Sequence, residues 1–415
     1  MPYRLLDVDL RQPFADVALG PAESGLAVVA RLDGRPVGFW MDAHAPGRTV
    51  PAAEVRQRAA AEVGVPVVRL AAEAELAGGA EPAPPSVTVA VCTHDRPERL
   101  GRCLRALVAV RAAGGRRPEV VVVDNAPSDG RTRATVAGFG GVRYVREPRV
   151  GLDFARNRAL AEADGDWVAF LDDDVVPDAG WFGGLAGALA VHPDAGAVTG
   201  LVLPLELGTE AQVLFERDGG FRRGFRPVRY QGSTMPGNRL YPVGAGIFGA
   251  GANMAFRRRL VLDLGGFDEA LDTGAPLPGG GDLDMFYRVV RSGAPLVYWP
   301  DAAVRHEHRR TLAALRRQYH SWGLGFMAFL DKTRRADPDQ RPKVRGMVQW
   351  WFRHQARRYA AGLKGTGTLP ASMVAAEVQG GVQGLGGEYG RSQARAEAVR
   401  QSAGGPALAP LAASS

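Results

Sequence analysis

From Val87 onward, apolar residues arrive in short, nearly continuous, β-branched runs: "VTVAVC" (87–92), "EVVVVD" (119–124) and "WVAFLD" (167–172). Runs of that length without polar alternation predict strands covered on both faces. Between the first two, Leu100, Cys103, Leu104 and Leu107 recur at helical spacing behind Pro97. Before the third, "LDFARNRALAEADG" reads as a helix with Gly165 as its C-cap. Strands alternating with helices predict an α/β fold on a mostly parallel sheet.

The flanks differ in texture. Residues 1–72 alternate short apolar strands with turn signals. "ARLDGRPVGFW" predicts a hairpin turning at Asp33-Gly34, and "PAAEVRQRAAAEVG" a helix with Pro51 near its start. "AEAELAGGAEPAPPS" (72–86) ends a helix and opens a Pro/Ala/Gly-rich linker. A small α+β domain over 1–80 and a larger domain over 86–310 are therefore expected. Beyond Thr311 the pattern is helical to residue 364, with Trp350 and Trp351 read as packing residues. The last fifty residues are rich in Gly, Ala and Ser, so 365–415 is expected to be a partly disordered tail.

Composition narrows the classes. The 415 residues are 46% apolar and 23% charged, ordinary for a globular protein. No apolar run reaches the roughly 18 residues of a membrane span. The N-terminus "MPYRLLDVDLRQ" is charged where a signal peptide is apolar, so a cytoplasmic location is expected. Two cysteines, Cys92 and Cys103, exclude a disulfide framework and a cysteine-built zinc site. The net charge of +7 comes almost wholly from arginine, with lysine only at 332, 343 and 364. The arginines are spread along the chain, with mild clusters at "FRRGFR" (221–226) and "RHEHRR" (305–310). That pattern argues against a nucleic-acid groove and suits a phosphate-bearing small ligand or an anionic partner for the C-terminal part.

The candidate chemistry begins at "WVAFLDDDVVPDAGW", where an apolar strand ends in Asp172, Asp173 and Asp174. Adjacent carboxylates raise one another's pKa unless a cation sits among them. Residues two apart in extended chain share a side, so Asp172 and Asp174 could face one ligand together. In parallel α/β sheets ligands bind at the carboxyl ends of the strands, where this triplet lies. Other polar motifs share the placement: "CTHDRPERL" after the first strand, "VDNAPSDG" after the second, then "GLDFARNRAL", "GAGANMAFRR", "GGFDEAL" and "GGGDLDMFYRVVRSGAPLVYWPDAAVRHEH".

These motifs, in this order from about Val87 to His308, resemble the family-2 glycosyltransferases, inverting enzymes of the GT-A fold. The resemblance implies a Rossmann-like, mostly parallel sheet flanked by helices, with a nucleotide-sugar donor (UDP-, dTDP- or GDP-linked) and a hydroxyl-bearing acceptor. It implies that Thr93, Asp95, Asp124, Arg156, Asp172 and Asp173 serve the nucleotide sugar. It gives Asp174 and His306 to a Mn²⁺ or Mg²⁺ ion, with His308 as a substitute, and Asp282 to the catalytic base. The competing structural readings make Asp282 an N-cap for the helix that follows, Arg156 a surface helix residue, Asp124 a strand-end cap and His308 a solvated side chain; the glycines before Asp282 suit a ligand-facing loop and favour the base. Asp284 suits that helix's first turn, and Asp268 a turn cap. Many relatives carry an acidic pair before this helix; here Gly281 precedes Asp282. "QYHSW" (318–322) is similar to the QxxRW motif of processive synthases but has Ser321 in place of arginine, which excludes that class.

Two other readings compete. "FLDDDVV" satisfies the DxDxV motif of haloacid-dehalogenase-like phosphatases, but no lysine lies between Asp172 and Asp331 to balance a phosphate. A nucleotide-sugar-binding protein without turnover would keep the triplet and have no need of Asp282.

Overall fold

The computed structural model of the chain describes residues 1–76, 85–110, 117–272 and 277–402. The expected linker falls mostly in 77–84, outside the described residues. The first strands are β1 (Arg4–Asp9), β2 (Val17–Ala18), β3 (Gly25–Leu32), β4 (Arg35–Ala43) and β5 (Thr49–Val50). Strands β1, β3 and β4 form a small sheet, and the hairpin turns at Asp33-Gly34, both at positive φ. Helix α1 (Ala52–Leu76) covers one face of this sheet, where Val28, Ala30 and Trp40 meet Val55, Ala59 and Val63. The opposite face, through Tyr3 and Ala27, packs on Leu207 and Val213 of the larger body. Ion pairs complete the seam: Arg305 to Asp7, Arg31 to Asp178 and Arg35 to Asp301, each at 2.6 Å.

The larger body carries β6 (Val87–Thr93), α2 (Pro97–Ala109), β7 (Glu119–Asn125), α3 (Arg131–Ala137), β8 (Val142–Glu147), α4 (Leu152–Glu162), β9 (Trp167–Asp172), β10 (Val175–Pro177) and α5 (Trp181–Val191). It continues with β11 (Ala197–Pro204), α6 (Glu210–Arg217), β12 (Val228–Tyr230), β13 (Asn253–Arg257), α7 (Arg258–Asp263), α8 (Gly281–Arg291) and β14 (Leu296–His306). Among the described residues these strands form a nine-stranded sheet, β10-β14-β11-β13-β9-β6-β7-β8, with β12 beside β14. Strand β13 is antiparallel to both β9 and β11, so β6, β7, β8, β9, β11 and β14 all run one way. The three sequence-expected strands sit at its centre. Their β-branched runs are buried from both sides, by α2 and α5 on one face and by α4 and α8 on the other. Both cysteines are buried free thiols, Cys92 on β6 and Cys103 on α2.

Two glycines mark close approaches. Gly165 does not cap α4, whose C-cap is Ala163. A Cβ at 165 would lie 2.6 Å from the Thr88 nitrogen, so the residue is needed for packing against β6. Gly200 sits where the pairing of β11 with β14 slips by three residues, from Gly200 opposite Trp299 to Val202 opposite Val304. Asn253 fills the irregularity, its amide donating to the carbonyls of Leu201 and Ala302.

The C-terminal third corrects one expectation. Helices α9 (Leu312–Ala336) and α10 (Arg341–Leu363) are followed by α11 (Ala371–Gln383) and α12 (Tyr389–Ser402), where a partly disordered tail was expected from 365. The glycines that suggested disorder are contact residues. A Cβ on Gly323 would lie 1.9 Å from the Glu377 carbonyl, and one on Gly380 1.9 Å from that of His320. Small residues let α9 and α11 pack backbone to backbone. Residues 403–415 lie outside the described residues. Among the described residues no helix is long and apolar enough to cross a membrane.

Gly200→Ala is expected to destabilise the fold by about 1–3 kcal/mol through overpacking. The added Cβ would stand 2.0 Å from the Ala302 carbonyl and 2.2 Å from Asn253 Nδ2. Urea unfolding of wild type and variant checks this.

Candidate active site

Strand β9 delivers the Asp triplet to the carboxyl edge of the sheet, and a two-residue turn leads into β10. That short strand pairs antiparallel with the end of β14, Val175 opposite His306. The register sets the His306 ring against the triplet, with Nε2 3.3 Å from Asp174 Oδ1. The turn gives the three carboxylates different partners. Asp173 accepts from Thr93 Oγ1 at 2.7 Å and from Arg96 at 3.2 Å. Asp172, Asp174 and His306 each offer one ligand atom, all within 4.8 Å of one another, and could hold a metal ion. Two carboxylates and one imidazole suit a divalent ion that accepts hard oxygen ligands and tolerates one nitrogen.

The electrostatics agree with such a donor set. Burial and the neighbouring Asp174 push the Asp172 carboxyl up to about 7, with Arg156 pulling the other way. Burial would also raise Asp174, but His306 while it is protonated, and the guanidiniums of Arg309, Arg96 and Arg99 at any pH, pull it below its ordinary value. Burial pushes His306 down to about 4, so its imidazole is neutral and has a lone pair to offer.

His308, expected in solvent, is buried instead. Its Nε2 lies 2.7 Å from Glu216 Oε1, and its Nδ1 lies 3.1 Å from Nδ1 of His306. A carboxylate only accepts, so His308 Nε2 carries the proton that bonds Glu216. Burial keeps His308 neutral, at about 3. Its Nδ1 is then an acceptor and His306 Nδ1 the donor. The remaining nitrogen of His306, Nε2, is left as a bare lone pair facing Asp174. Arg222 holds the far side of Glu216 and stacks over Phe39 of the N-terminal sheet, 4.1 Å from the ring centre.

Asp282 lies in the first turn of α8 and is not its cap; Gly280, at φ +107°, takes the N-cap position. The Asp282 carboxylate accepts from the Gly251 amide at 3.0 Å and from the Leu283 amide at 2.8 Å. The glycines before it are set by their surroundings. A Cβ on Gly280 would be 2.8 Å from the Gly325 carbonyl on α9. At Gly281 it would meet Asp153 Oδ2 at 2.0 Å. An acidic side chain at 281 therefore has no room here, because Asp153 from α4 brings a carboxylate to the same place.

Arg156 joins these parts and is buried, not a surface residue. Its guanidinium bonds Asp153 at 2.8 Å and Asp272 at 3.2 Å, and Asp172 and Asp282 are close enough to raise its pKa further. Asp272, held at φ +50°, also accepts from the Gly281 amide. Both Asp153 and Asp272 are pushed up by burial.

Thr93, Arg156, Asp172, Asp173, Asp174, Asp282 and His306 all line one cleft of about 2040 Å³, walled on its far side by α9 and α10. Asp95 and Asp124 do not line it. Asp95 bonds the Ser128 amide, and Asp124 is buried against the Tyr144 hydroxyl, while Asn125 beside it reaches the cleft. Asp284 pairs with Arg288 and Lys332, and Asp268 caps the Ala270 turn. Sequence reasoning missed Asp153, which stands inside the motif "GLDFARNRAL", Asp272, just after "GGFDEAL", and Glu216, which lies in a stretch with no motif. It also took Trp350 for a packing residue, whereas Trp350 is 49% exposed and lines the cleft; Trp351 does pack.

Arg156→Met is expected to cost about 3–5 kcal/mol, since it strands buried carboxylates without their cation. Chemical unfolding at pH 7 measures it.

Comparison with known proteins places this site in context. The model of the family described as "Glycosyltransferase like family 2" matches residues 84–325. The pre-mycofactocin glycosyltransferase of Mycobacterium tuberculosis is 28% identical over 255 residues, 60% of this chain and 49% of that protein. This chain thus spans about half the length of that relative. The succinoglycan biosynthesis protein ExoM of Rhizobium meliloti is 30% identical over 250 residues, 57% of this chain and 72% of that one. Among solved structures, a mannosyltransferase from Pyrobaculum calidifontis in complex with GDP-Man and Mn²⁺ aligns with a TM-score of 0.48 and 21% identity, covering 78% of this chain and 95% of that one. The family match covers more than half of the chain and contains every cleft residue from the Asp triplet to Asp282, and the protein belongs to glycosyltransferase family 2.

Proposed function

We propose that the protein transfers a sugar, with inversion, from a nucleotide-diphosphate sugar to an acceptor hydroxyl. The observation that carries this reading is the placing of the Asp172–Asp174–His306 cluster and Asp282 in one cleft. The cleft's volume of about 2040 Å³ exceeds the roughly 300–1,000 Å³ of a pocket for one small ligand, which leaves space for donor and acceptor together.

In this reading Thr93, Asp172, Asp173 and Arg156 bind the nucleotide sugar, and Asp95 and Asp124 act through the loops they hold. Asp172, Asp174 and His306 would hold Mn²⁺ or Mg²⁺, whose charge would offset the charge that develops on the leaving diphosphate. Asp282 takes the proton of the acceptor hydroxyl. The freed oxygen bonds to the anomeric carbon from the face opposite the diphosphate, and the bond from that carbon to the diphosphate oxygen breaks. A nucleoside diphosphate departs and the configuration inverts. The Gly251 amide fixes where the base stands. Glu216 and His308 orient the His306 ring and set its tautomer, as outer partners of metal-binding histidines do.

Thermal stabilisation by UDP, dTDP or GDP, each with and without Mn²⁺, tests the reading and names the donor class. One nucleotide should raise the melting temperature in a metal-dependent way, and Asp174→Ala should abolish the rise. No shift with any of them would refute the reading. Asp282→Asn should keep the nucleotide shift and lose transfer by about 10²–10⁴-fold.

The histidine chain gives a separate expectation. His308→Phe should weaken Mn²⁺ binding by about 10–100-fold, followed by the electron paramagnetic resonance of free Mn²⁺. His308→Gln retains a donor and an acceptor and should keep most of the affinity. Equal losses in the two variants would show that His308 only fills space.

A further inference from the structure

Helix α10 has a composition unlike the rest of the molecule. Its 23 residues, "RPKVRGMVQWWFRHQARRYAAGL", contain six basic side chains and no acidic one. In a chain with 44 acidic residues to 51 basic ones, such a segment is strongly skewed. Val344, Met347, Trp351 and Gln355 bury one face of the helix. On the opposite face Arg345, Arg353 and Arg357 recur every four to eight residues, joined by Lys364 just past the helix end. These four are exposed and make no hydrogen bond or ion pair among the described residues, whereas Arg358, on the inner side, is paired with Asp218 and Glu377. The same outer face also presents apolar groups to solvent: Trp350 is 49% exposed and Leu363 68%, with Tyr359 at its edge at 40%.

The combination points to one kind of partner. Unpaired arginines alone would suit any polyanion. Large aromatic and aliphatic side chains standing among them, on a helix about 34 Å long, match an interface with water on one side and acyl chains on the other. Each basic residue near an anionic leaflet adds to the attraction, and a tryptophan ring favours the headgroup level. The surface is also continuous with the cleft. Trp350 and Arg353 belong both to the outer face of α10 and to the cleft wall, and Arg239 and Arg317, likewise unpaired, carry the positive charge further into its mouth.

We infer that α10 docks the protein on an anionic lipid surface, with the cleft mouth at the membrane. The acceptor hydroxyl would then arrive on a lipid-borne molecule, and this last clause rests on the glycosyltransferase reading above. Docking itself does not.

Co-sedimentation of the full chain with vesicles tests the inference. Vesicles of phosphatidylcholine with about 30% phosphatidylglycerol should retain the protein at low salt, and pure phosphatidylcholine should not. Retention should fall steeply with salt as the surface charge is screened. Arg345→Glu/Arg357→Glu/Lys364→Glu, which touches no cleft-lining residue, should lower partitioning by about a hundredfold or more. Trp350→Ala should weaken it at a salt concentration where charge is already screened. The melting temperature of the triple variant confirms that it is folded.

The inference is overturned if anionic vesicles retain the protein no better than neutral ones, or if the triple variant binds as wild type does. It is equally overturned if heparin or single-stranded DNA binds through the same three residues while vesicles do not, which would make α10 a site for a soluble polyanion. The nucleotide thermal shifts are read on the same preparation. A positive nucleotide shift with no vesicle binding removes the membrane and leaves the enzyme; vesicle binding with no nucleotide shift does the reverse.

Discussion

One guanidinium holds the candidate site together. Asp153 on α4, Asp172 at the end of β9, Asp272 in a loop and Asp282 on α8 come from four parts of the chain and converge on buried Arg156. Carboxylates gathered this closely would repel one another, and burial would push each toward its neutral form, were no cation fixed among them. Arginine suits the task because its planar fork offers several donors at set angles and stays charged. The position of Asp282 relative to the Asp triplet is thus an electrostatic requirement as much as a consequence of sheet topology. The glycines before α8 fit the same requirement, since a side chain at 281 would displace Asp153 from the cluster.

What could be read in the sequence followed from regular periodicity. The central strands, the helices between them and the delivery of the Asp triplet to the carboxyl edge of the sheet rest on rules that hold residue by residue. What could not be read was set by distant partners. His308 looks like a solvated histidine until α6 brings Glu216 to its far side, and nothing in "QVLFERDGG" announces that meeting. Gly380, Gly381 and Gly384 look like a flexible tail until α9 and α11 are seen back to back. Glycine favours both disorder and the closest helix contacts, and composition alone does not separate the two. Asp95 and Asp124 show the converse. They stand at the strand ends where ligand contacts are expected, yet Asp124 is buried against Tyr144 and Asp95 is taken up at the surface by the Ser128 amide.

The N-terminal sheet and the cleft share a strand. In β14, Arg305 and His306 are neighbours, so their side chains leave on opposite sides. Arg305 bonds Asp7 of the N-terminal sheet, while His306 faces Asp174. A second link runs from Phe39 through Arg222 to Glu216 and His308. The family match begins at residue 84 and leaves Asp7 and Phe39, the N-terminal end of each link, outside it. The segment that relatives have in common is therefore not a unit that can be cut out intact. Trimmed to that length, the chain would lose the partners of Arg305, Asp178 and Asp301 and the cover over Leu207 and Val213, and the loss would be felt one residue away from the donor set. Grafting or shortening this enzyme means carrying its first fifty residues along, as a brace that the shared motifs do not record.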